Sequence, residues 1–329
     1  MKLSNIHPQR CLTQISVFFL FALSAVGVHS QEWPSRPVRF IVPFATGGSA
    51  DVFSRVVATR LQETLGQGFI VENRPGAGSI IGTDVVAKSP PDGYTFLVMS
   101  NTHTVNETLI TSKPFQLMRD FLPVAPISES DLVLVARSGL PASSVADVLR
   151  SARSTPDGMT YASSGNGTPY HMAGELLKSM AGIKIVHVPY KGSSQARTDV
   201  LGGQVDLMFD AIPTMVSQVN GGKVKALGTS GRARSSIMPN VPTLSEAGVP
   251  GYTATIWIGL MAPRGTPPAI ISRLNAEISR ITSDPELRSR WAAQGTATMN
   301  MNVNEFGKFL NDDIAKWATV VRSAGIKAD

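Results

Sequence analysis

Twice along this chain an apolar strand runs through a glycine-rich loop into the first turn of a helix. The first instance is Val38–Phe44 followed by Ala45-Thr-Gly-Gly-Ser-Ala-Asp51, and the second is Met159–Ser163 followed by Ser164-Gly-Asn-Gly-Thr-Pro-Tyr-His171. A strand that feeds a helix through so short a loop builds βαβ units, and hence a parallel sheet covered by helices. The junction also carries chemistry. A helix N-terminus offers backbone N–H groups without helical partners and the positive end of the helix dipole, which suits an anion. Two such ends, about 120 residues apart, can face each other across a cleft between two domains and grip one acidic molecule.

The remaining chain keeps this alternation. Strand signals stand at Val38–Phe44, Phe69–Glu72 and Tyr94–Met99; in the helix from Asp51 to about Leu65, Phe53, Val57, Leu61 and Leu65 recur every fourth position and Gly66 is a stop. A helix over Ser79–Lys88 ends before the Pro90-Pro91-Asp92-Gly93 turn. Phe121–Arg137 is apolar, rich in β-formers and free of helical spacing, which makes it an extended connection out of the first domain. A second alternation places strands at Met159–Ser163, Ile183–Pro189, Val205–Asp210 and Val224–Thr229, with helices between them. Tyr252–Pro263 is the return crossing, and the C-terminal helices present the stripes Ile271, Leu274, Ile278, Ile281 and Phe306, Leu310, Ile314, Trp317, Val321. With 329 residues, the chain exceeds what one core usually absorbs. The expectation is an α/β fold of two doubly wound domains joined by two crossing strands. Residues 31–130 and 253–329 form the first and residues 131–252 the second, an arrangement that permits hinge closure.

Lys2 and Arg10 form a basic start with no acidic residue, Ile15–Val28 is an apolar core, and Val28-His29-Ser30 ends in a small residue. Residues 1–30 therefore read as a cleavable secretory signal with Gln31 as the mature start; an uncleaved anchor is the alternative, and the apolar run is short for a membrane span. The expected location is the periplasm. Cys11 is the only cysteine, so the mature chain has no disulfide, thiol nucleophile or cysteine metal site. Lys and Arg are scattered, and the net charge of +6 leaves +4 after signal removal, too mild and too dispersed for a nucleic-acid stripe.

In the first loop, Gly47 and Gly48 let backbone approach a ligand, Ser49 is a candidate N-cap, and Asp51 sits in the first helical turn, where it repels a carboxylate at contact and serves better to order the loop or accept from a ligand hydroxyl or amine. In the second, Thr168 reads as N-cap and Pro169 as the first helical residue, Gly165 and Gly167 open the backbone, and Ser163, Ser164, Asn166 and Thr168 add neutral donors. His171 falls in the first turn and reads first as a structural hydrogen-bonder. Strand ends supply further candidates: Phe44 and Thr46 beside the first loop, Ser100-Asn101, Tyr190-Lys191-Gly192 and Asp210. Catalytic and cofactor signals are weak. The chain has no Gly-x-Ser-x-Gly, His-Glu-x-x-His or Walker loop, and His103, His171 and His187 are too scattered for a metal cluster. Gly76-Ala-Gly-Ser-Ile-Ile-Gly82 follows a strand, but its spacing departs from the dinucleotide fingerprint. No cofactor, metal or catalytic residue is expected.

The chain resembles the Bug-type (TctC-like) solute receptors of bacterial tripartite tricarboxylate transport systems across residues 31–329. The resemblance rests on Trp33-Pro-Ser-Arg-Pro37, Pro43–Asp51, Val71-Glu-Asn-Arg-Pro-Gly-Ala-Gly78, Pro91-Asp-Gly-Tyr-Thr95, Val188-Pro-Tyr-Lys-Gly192, Gly202–Asp210 and Pro239–Gly248, in order. It implies a two-domain periplasmic binding protein of type II kind that closes over a small carboxylate, with the Pro43–Asp51 and Ser163–His171 segments as pincers. Thr46 stands where the family leads one to expect alanine, and Tyr170 receives no role. The implied partners are a carboxylate ligand and a tripartite membrane permease; a sensor kinase, or turnover by an exported hydrolase or lyase on the same scaffold, are the other readings. A monomer is expected.

Overall fold

Strand β1 (Val38–Val42) is buried at all but one position, which only a strand covered on both faces allows. The computed structural model describes residues 33–323 and 325–327, so the signal-peptide reading of residues 1–30 and the start at Gln31 lie outside the described residues. Arg36 onward forms one unit, and Trp33–Ser35 belong with the N-terminal segment.

Among the described residues ten strands form the sheet, in the order β2-β1-β3-β9-β4-β7-β5-β6, with β8 and β10 also paired to β4. On one side, β1 pairs in parallel with β2 (Phe69–Asn73) and β3 (Thr95–Ser100), and β3 runs antiparallel to β9 (Thr255–Pro263). On the other, β5 (Thr160–Ser163) pairs in parallel with β6 (Val186–Pro189) and β7 (Leu207–Ala211). The long extended run is strand β4 (Phe121–Arg137), 17 residues that change partner midway. From Phe121 to Asp131 it lies against β9; from Leu132 it lies against β7 and, from Val133, against β8 (Val224–Thr229). β8 is thus antiparallel to β4 and not part of a parallel set. Short β10 (Thr296–Thr298) pairs with β4 at Ser128–Ser130.

Ser230 marks the partner change. Fully buried, it donates its backbone N–H to the Leu132 carbonyl (2.9 Å) and accepts at its Oγ from the Leu132 N–H (2.8 Å). It also binds Ala254, accepting that residue's N–H at its carbonyl and donating its hydroxyl to that residue's carbonyl. One serine therefore clamps β4 to the segment entering β9.

The helices are α1 (Ser49–Leu65), α2 (Ile80–Ala87), α3 (Asn101–Leu109), α4 (Leu117–Asp120), α5 (Val145–Ser154), α6 (Pro169–Ala181), α7 (Ser193–Leu201), α8 (Ile212–Asn220), α9 (Pro268–Ser283), α10 (Pro285–Ala292) and α11 (Val303–Ser323). The α1 stripe buries Phe53, Val57 and Leu61, and Gly66 takes the left-handed cap conformation at φ 70°. In α11 the stripe turns slightly from the expected one, so that Asp313 is buried together with Phe306, Leu310, Trp317 and Val321. Its carboxylate accepts from the Thr104 hydroxyl at 2.6 Å, which ties α11 to α3, and burial pushes its pKa up.

Apolar clusters make up the core of the described residues. One gathers Leu97, Met99, Trp257 and Phe306, another Val133, Ala162, Met208 and Ile212, and a third packs Met172 of α6 with Val105 and Leu109 of α3 and Trp317 and Val321 of α11. Phe306 meets Trp257 edge-on at 6.1 Å between centroids, and its ring fills the space beside Gly259. Phe306→Ala is expected to lower unfolding free energy by about 3–5 kcal/mol, the usual cost of emptying an aromatic site, read as a shift of the urea midpoint.

Candidate ligand site

Four helices begin at one cavity. Its walls include Gly48 and Ser49 at the start of α1, Ser100 at α3, Pro169 at α6 and Ser193 at α7. The space, counted with the solvent at its mouth, amounts to about 330 Å³, and six hydroxyl-bearing residues line it: Ser49, Ser100, Thr102, Ser164, Tyr170 and Ser193. No charged side chain is among the described lining residues. Each helix brings roughly half a positive charge at its N-terminus. Ser100 and Thr168 cap α3 and α6 with their side chains, but Gly48 and Gly192 cap α1 and α7 with none. The first N–H groups of α1 and α7 are therefore left to water or to a ligand. Hydroxyls, backbone N–H groups and aligned dipoles without a buried cation make an anion site of low desolvation cost.

The first loop differs from expectation in detail. The N-cap is Gly48, not Ser49, because the helix starts at Ser49 itself; this puts the Ser49 hydroxyl at the cavity. Asp51 turns away from the cavity. It is 3% exposed, accepts from the Gly47 N–H at 2.9 Å, and is paired with Arg55 at 2.8 Å. Arg55 also reaches Asn73, whose amide donates to the Phe44 carbonyl. Asp51 thus orders the loop, its charge spent on Arg55. Thr46 is exposed and is not a lining residue; its carbonyl accepts from the Ser194 hydroxyl at 2.6 Å.

In the second loop most polar groups are used internally. Thr168 Oγ1 donates to the Gly165 carbonyl (2.6 Å) and accepts from the His171 N–H. His171 Nδ1 accepts from the Gly167 N–H, and Ser163 Oγ accepts from the Gly165 N–H. Ser163 Oγ also lies 2.7 Å from His187 Nε2, but Ser163 is fully buried and borders neither this cavity nor the one outside it. Thr168, His171, Ser163 and Gly167 therefore shape the loop, and Ser164, Pro169 and Tyr170 face the inner cavity. The outer cavity is bordered by Phe44 and Ser164, which it shares with the inner one, and by Gly165, Asn166, Tyr190 and Lys191. The Tyr190 hydroxyl donates to Asp199. Gly192 packs on Ala45. Asn101 donates to the Thr255 carbonyl. Asp210 is fully buried, held by Arg197 at 2.7 Å, by Thr214 and by the Ala211 N–H. It supports the site from behind and does not reach the cavity; burial pushes its pKa up against the pull of Arg197.

Tyr170 belongs to the site although nothing in the order of residues singles it out. It is 3% exposed, and its hydroxyl lies 3.4 Å from Ser49 Oγ, linking the starts of α1 and α6. Burial, reinforced by Asp210, raises its pKa well above the ordinary phenol value. Thr102, Ser193 and Ile256 were also missed. A helix start at Ser100, followed by Asn101 and Thr102, and one after Gly192, were signals available for two of them.

Behind the cavity, His103 closes the capping box of α3. The Thr83 hydroxyl donates to the Ser79 carbonyl (2.8 Å), so it accepts from His103 Nε2 (3.0 Å). That places the proton on Nε2 and leaves Nδ1 to accept the Ser100 N–H (3.2 Å). Burial holds the imidazole pKa down to about 4, against 6.5 ordinarily. As pH falls below about 6.5 the unfolded chain takes up this proton first, so stability is full above that value and lost toward pH 4. His103→Gln is expected to remove about 3 kcal/mol of the stability difference between pH 7 and pH 4, measured by urea denaturation of both proteins.

A second expectation concerns close approach. Gly192 has extended backbone at φ 179°, open to any residue, but a Cβ there sits 2.3 Å from Ala45 Cβ. Gly192→Ala is expected to separate these segments and weaken anion binding roughly ten-fold, the effect of about 1–3 kcal/mol of overpacking. Titration calorimetry gives the answer.

Residues 53–326 match the family described as tripartite tricarboxylate transporter family receptor, TctC. Protein BugT of Bordetella pertussis is 37% identical over 320 residues, covering 97% of this chain and 98% of that one. Two solved structures are similar throughout. Rpa4515 of R. palustris with adipate has a TM-score of 0.87 at 34% identity, covering 90% of this chain and 99% of the other. The periplasmic binding protein BugD has a TM-score of 0.85 at 31% identity, covering 90% and 99%. The α/β fold is that of the periplasmic binding proteins. The chain belongs to the TctC family of tripartite tricarboxylate transporter receptors, which are Bug-type solute-binding proteins and not enzymes.

Proposed function

We propose that this protein captures a small carboxylate in the inner cavity, outside the cytoplasm, and delivers it to a tripartite tricarboxylate-type membrane permease. The convergence of four helix N-termini on a cavity of hydroxyls with no charged wall carries this reading. Adipate in the related Rpa4515 supports it. So does the secretory character of residues 1–30, which points to the periplasm.

Closure over the ligand follows from the two-lobe division expected from the sequence. The change of partner along β4 at Asp131–Leu132 supports that division, as does the separation of the Leu97–Trp257 cluster from the Val133–Met208 cluster. On this reading α1 and α3 belong to one lobe and α6 and α7 to the other. The Ser230 clamp sits where the chain crosses, and the hydrogen bond from Ser194 to the Thr46 carbonyl is a closed-state latch.

The test is a thermal-shift screen of mono-, di- and tricarboxylates against neutral and cationic solutes. A ligand at a hundred times its Kd adds about 2.7 kcal/mol to the folded state, a visible shift. Ser49→Ala is expected to weaken the best acid by about 1.5–3 kcal/mol, the worth of a hydrogen bond to a charged group. Stabilisation by amines or neutral sugars and not by acids overturns the proposal.

A further inference from the structure

Behind the second loop two imidazoles lie face to face. His171, in the first turn of α6, and His187, on the edge strand β6, stack with 4.1 Å between ring centroids and 23° between planes, and His187 stacks in turn on Tyr161 of β5 at 4.9 Å. Between them they hold both glycines of the loop. His171 Nδ1 accepts the Gly167 N–H (3.1 Å). His187 Nε2 lies 2.7 Å from Ser163 Oγ, and that hydroxyl accepts the Gly165 N–H (3.1 Å). Neither ring borders the inner cavity, whose wall on this side is Ser164, Pro169 and Tyr170.

The bond to Gly167 fixes a protonation state. A ring nitrogen that accepts an N–H carries no proton, so His171 is neutral here, whereas an imidazolium donates from both nitrogens. A proton on Nδ1 sets donor against donor at Gly167. The glycine is confined on its other side: at φ 72° a Cβ there would stand 2.3 Å from Asn106 Oδ1 of α3. Glu175, one turn further along α6, offers the charged ring a new partner. Its Oε1 lies 4.0 Å from His171 Nε2 and already accepts from the Tyr161 hydroxyl (2.6 Å) and from Lys178 (2.7 Å). Two imidazoliums at stacking distance repel, so the pair takes up its protons in two steps.

Glu175 and Lys178 are thus the charged groups that α6 itself brings to the stack, and Tyr161 is the titratable group from β5. Tyr252 touches α6 through its hydroxyl, which donates to the Ala173 carbonyl (2.6 Å). Asp206 and Asp210, next to and within β7, are held by Arg137 and Arg197. From α3 come Asn106 and the apolar Val105 and Leu109.

We infer that His171 and His187 are positioning residues that hold the second loop in its anion-binding form only while both rings are neutral, so that a proton taken up by the pair loosens the loop and releases the ligand. This rests on the carboxylate reading above and adds its control by pH. The ligand binds the neutral form. Affinity is therefore full above the range in which imidazoles take up protons, ordinarily centred at about pH 6.5, and is lost as pH falls through that range. His103 does not share the window, because burial holds its pKa down to about 4.

The experiment titrates hexanedioate by calorimetry at pH 8 and pH 5 on the wild-type protein, His171→Asn and His187→Gln, with thermal melts of the ligand-free proteins to verify folding. Asparagine offers an amide oxygen where Nδ1 stands and glutamine an amide where Nε2 stands, and neither titrates. Protonation of the ligand itself is common to all three proteins and cancels in the comparison. The wild type is expected to lose affinity several-fold more than His171→Asn between the two pH values, with His187→Gln between them. A second arm needs no ligand: the Gly167 amide resonance of glycine-labelled protein is expected to move between pH 8 and pH 5 in the wild type and to hold still in His171→Asn. A resonance that holds still in the wild type, the same pH course in wild type and His171→Asn, or tighter binding at pH 5 through simple charge attraction overturns the inference and leaves carboxylate capture standing. A moving resonance without binding of hexanedioate or of any acid in the screen removes the carboxylate reading, and with it the release of a ligand.

Discussion

On the proposed function an anion is taken out of water without a buried cation to meet it, and the site is built to that physical requirement. A buried charge uncompensated by partners is prohibitively expensive, and a buried lysine or arginine brings its own desolvation cost. Helix N-termini avoid both. Their N–H groups are unsatisfied by construction, so presenting them to a ligand removes no existing bond. The sheet makes the convergence possible: α1, α3, α6 and α7 each follow the carboxyl end of a strand, β1, β3, β5 and β6 respectively. Glycine caps on α1 and α7 keep the N–H groups open, while side-chain caps on α3 and α6 fix the geometry of the other two.

The charged residues near the cavity serve this arrangement without entering it. Asp51 pulls the first loop back onto α1 through Gly47 and Arg55. Asp210, with Arg197, sits buried behind Tyr170 and influences its phenol. Had either carboxylate faced the ligand, it would have opposed an anion at contact range, where screening by salt is weakest. Each is instead neutralised by an arginine drawn from its own side of the site. The polar groups of the second loop follow the same logic: Thr168, Ser163 and His171 satisfy one another's neighbours and leave Ser164 and Tyr170 at the wall.

The sequence disclosed the two long strands and both glycine loops because their signals are local: β-branched runs, a Thr-Pro helix start and glycine pairs. Phe121–Arg137 became one strand with those limits. The roles of single side chains were less legible. Asp51, Thr168 and Asp210 are polar residues beside the loops, and nothing in the order of residues tells whether a carboxylate turns toward a cavity or back to an arginine four positions on. The α3 start was hidden for another reason. Ser100 ends a strand in the sequence pattern, and only the fold reveals that a helix begins immediately after it. Tyr170 was invisible because its relevance depends on Ser49, 121 positions away.

The placement of the four helix ends also explains how capture couples to motion on the two-lobe reading. A ligand shifts a conformational equilibrium only by its differential affinity for the two states. With two helix ends on each lobe, the open state offers half of the dipoles and hydroxyls and the closed state all of them, so the anion favours closure through contacts that exist nowhere else. The direct contacts across the gap are the polar and close-approach ones of Ser194 with the Thr46 carbonyl, Tyr170 with Ser49, Gly192 with Ala45 and Gly78 with the Asn166 backbone, and an apolar one in which Met172 of α6 packs with Val105, Leu109 and Trp317. Small residues allow close approach but contribute little attraction of their own. On the two-lobe reading the ligand adds its contacts with all four helix ends to those the lobes make themselves, and the anion biases the equilibrium toward closure by that difference.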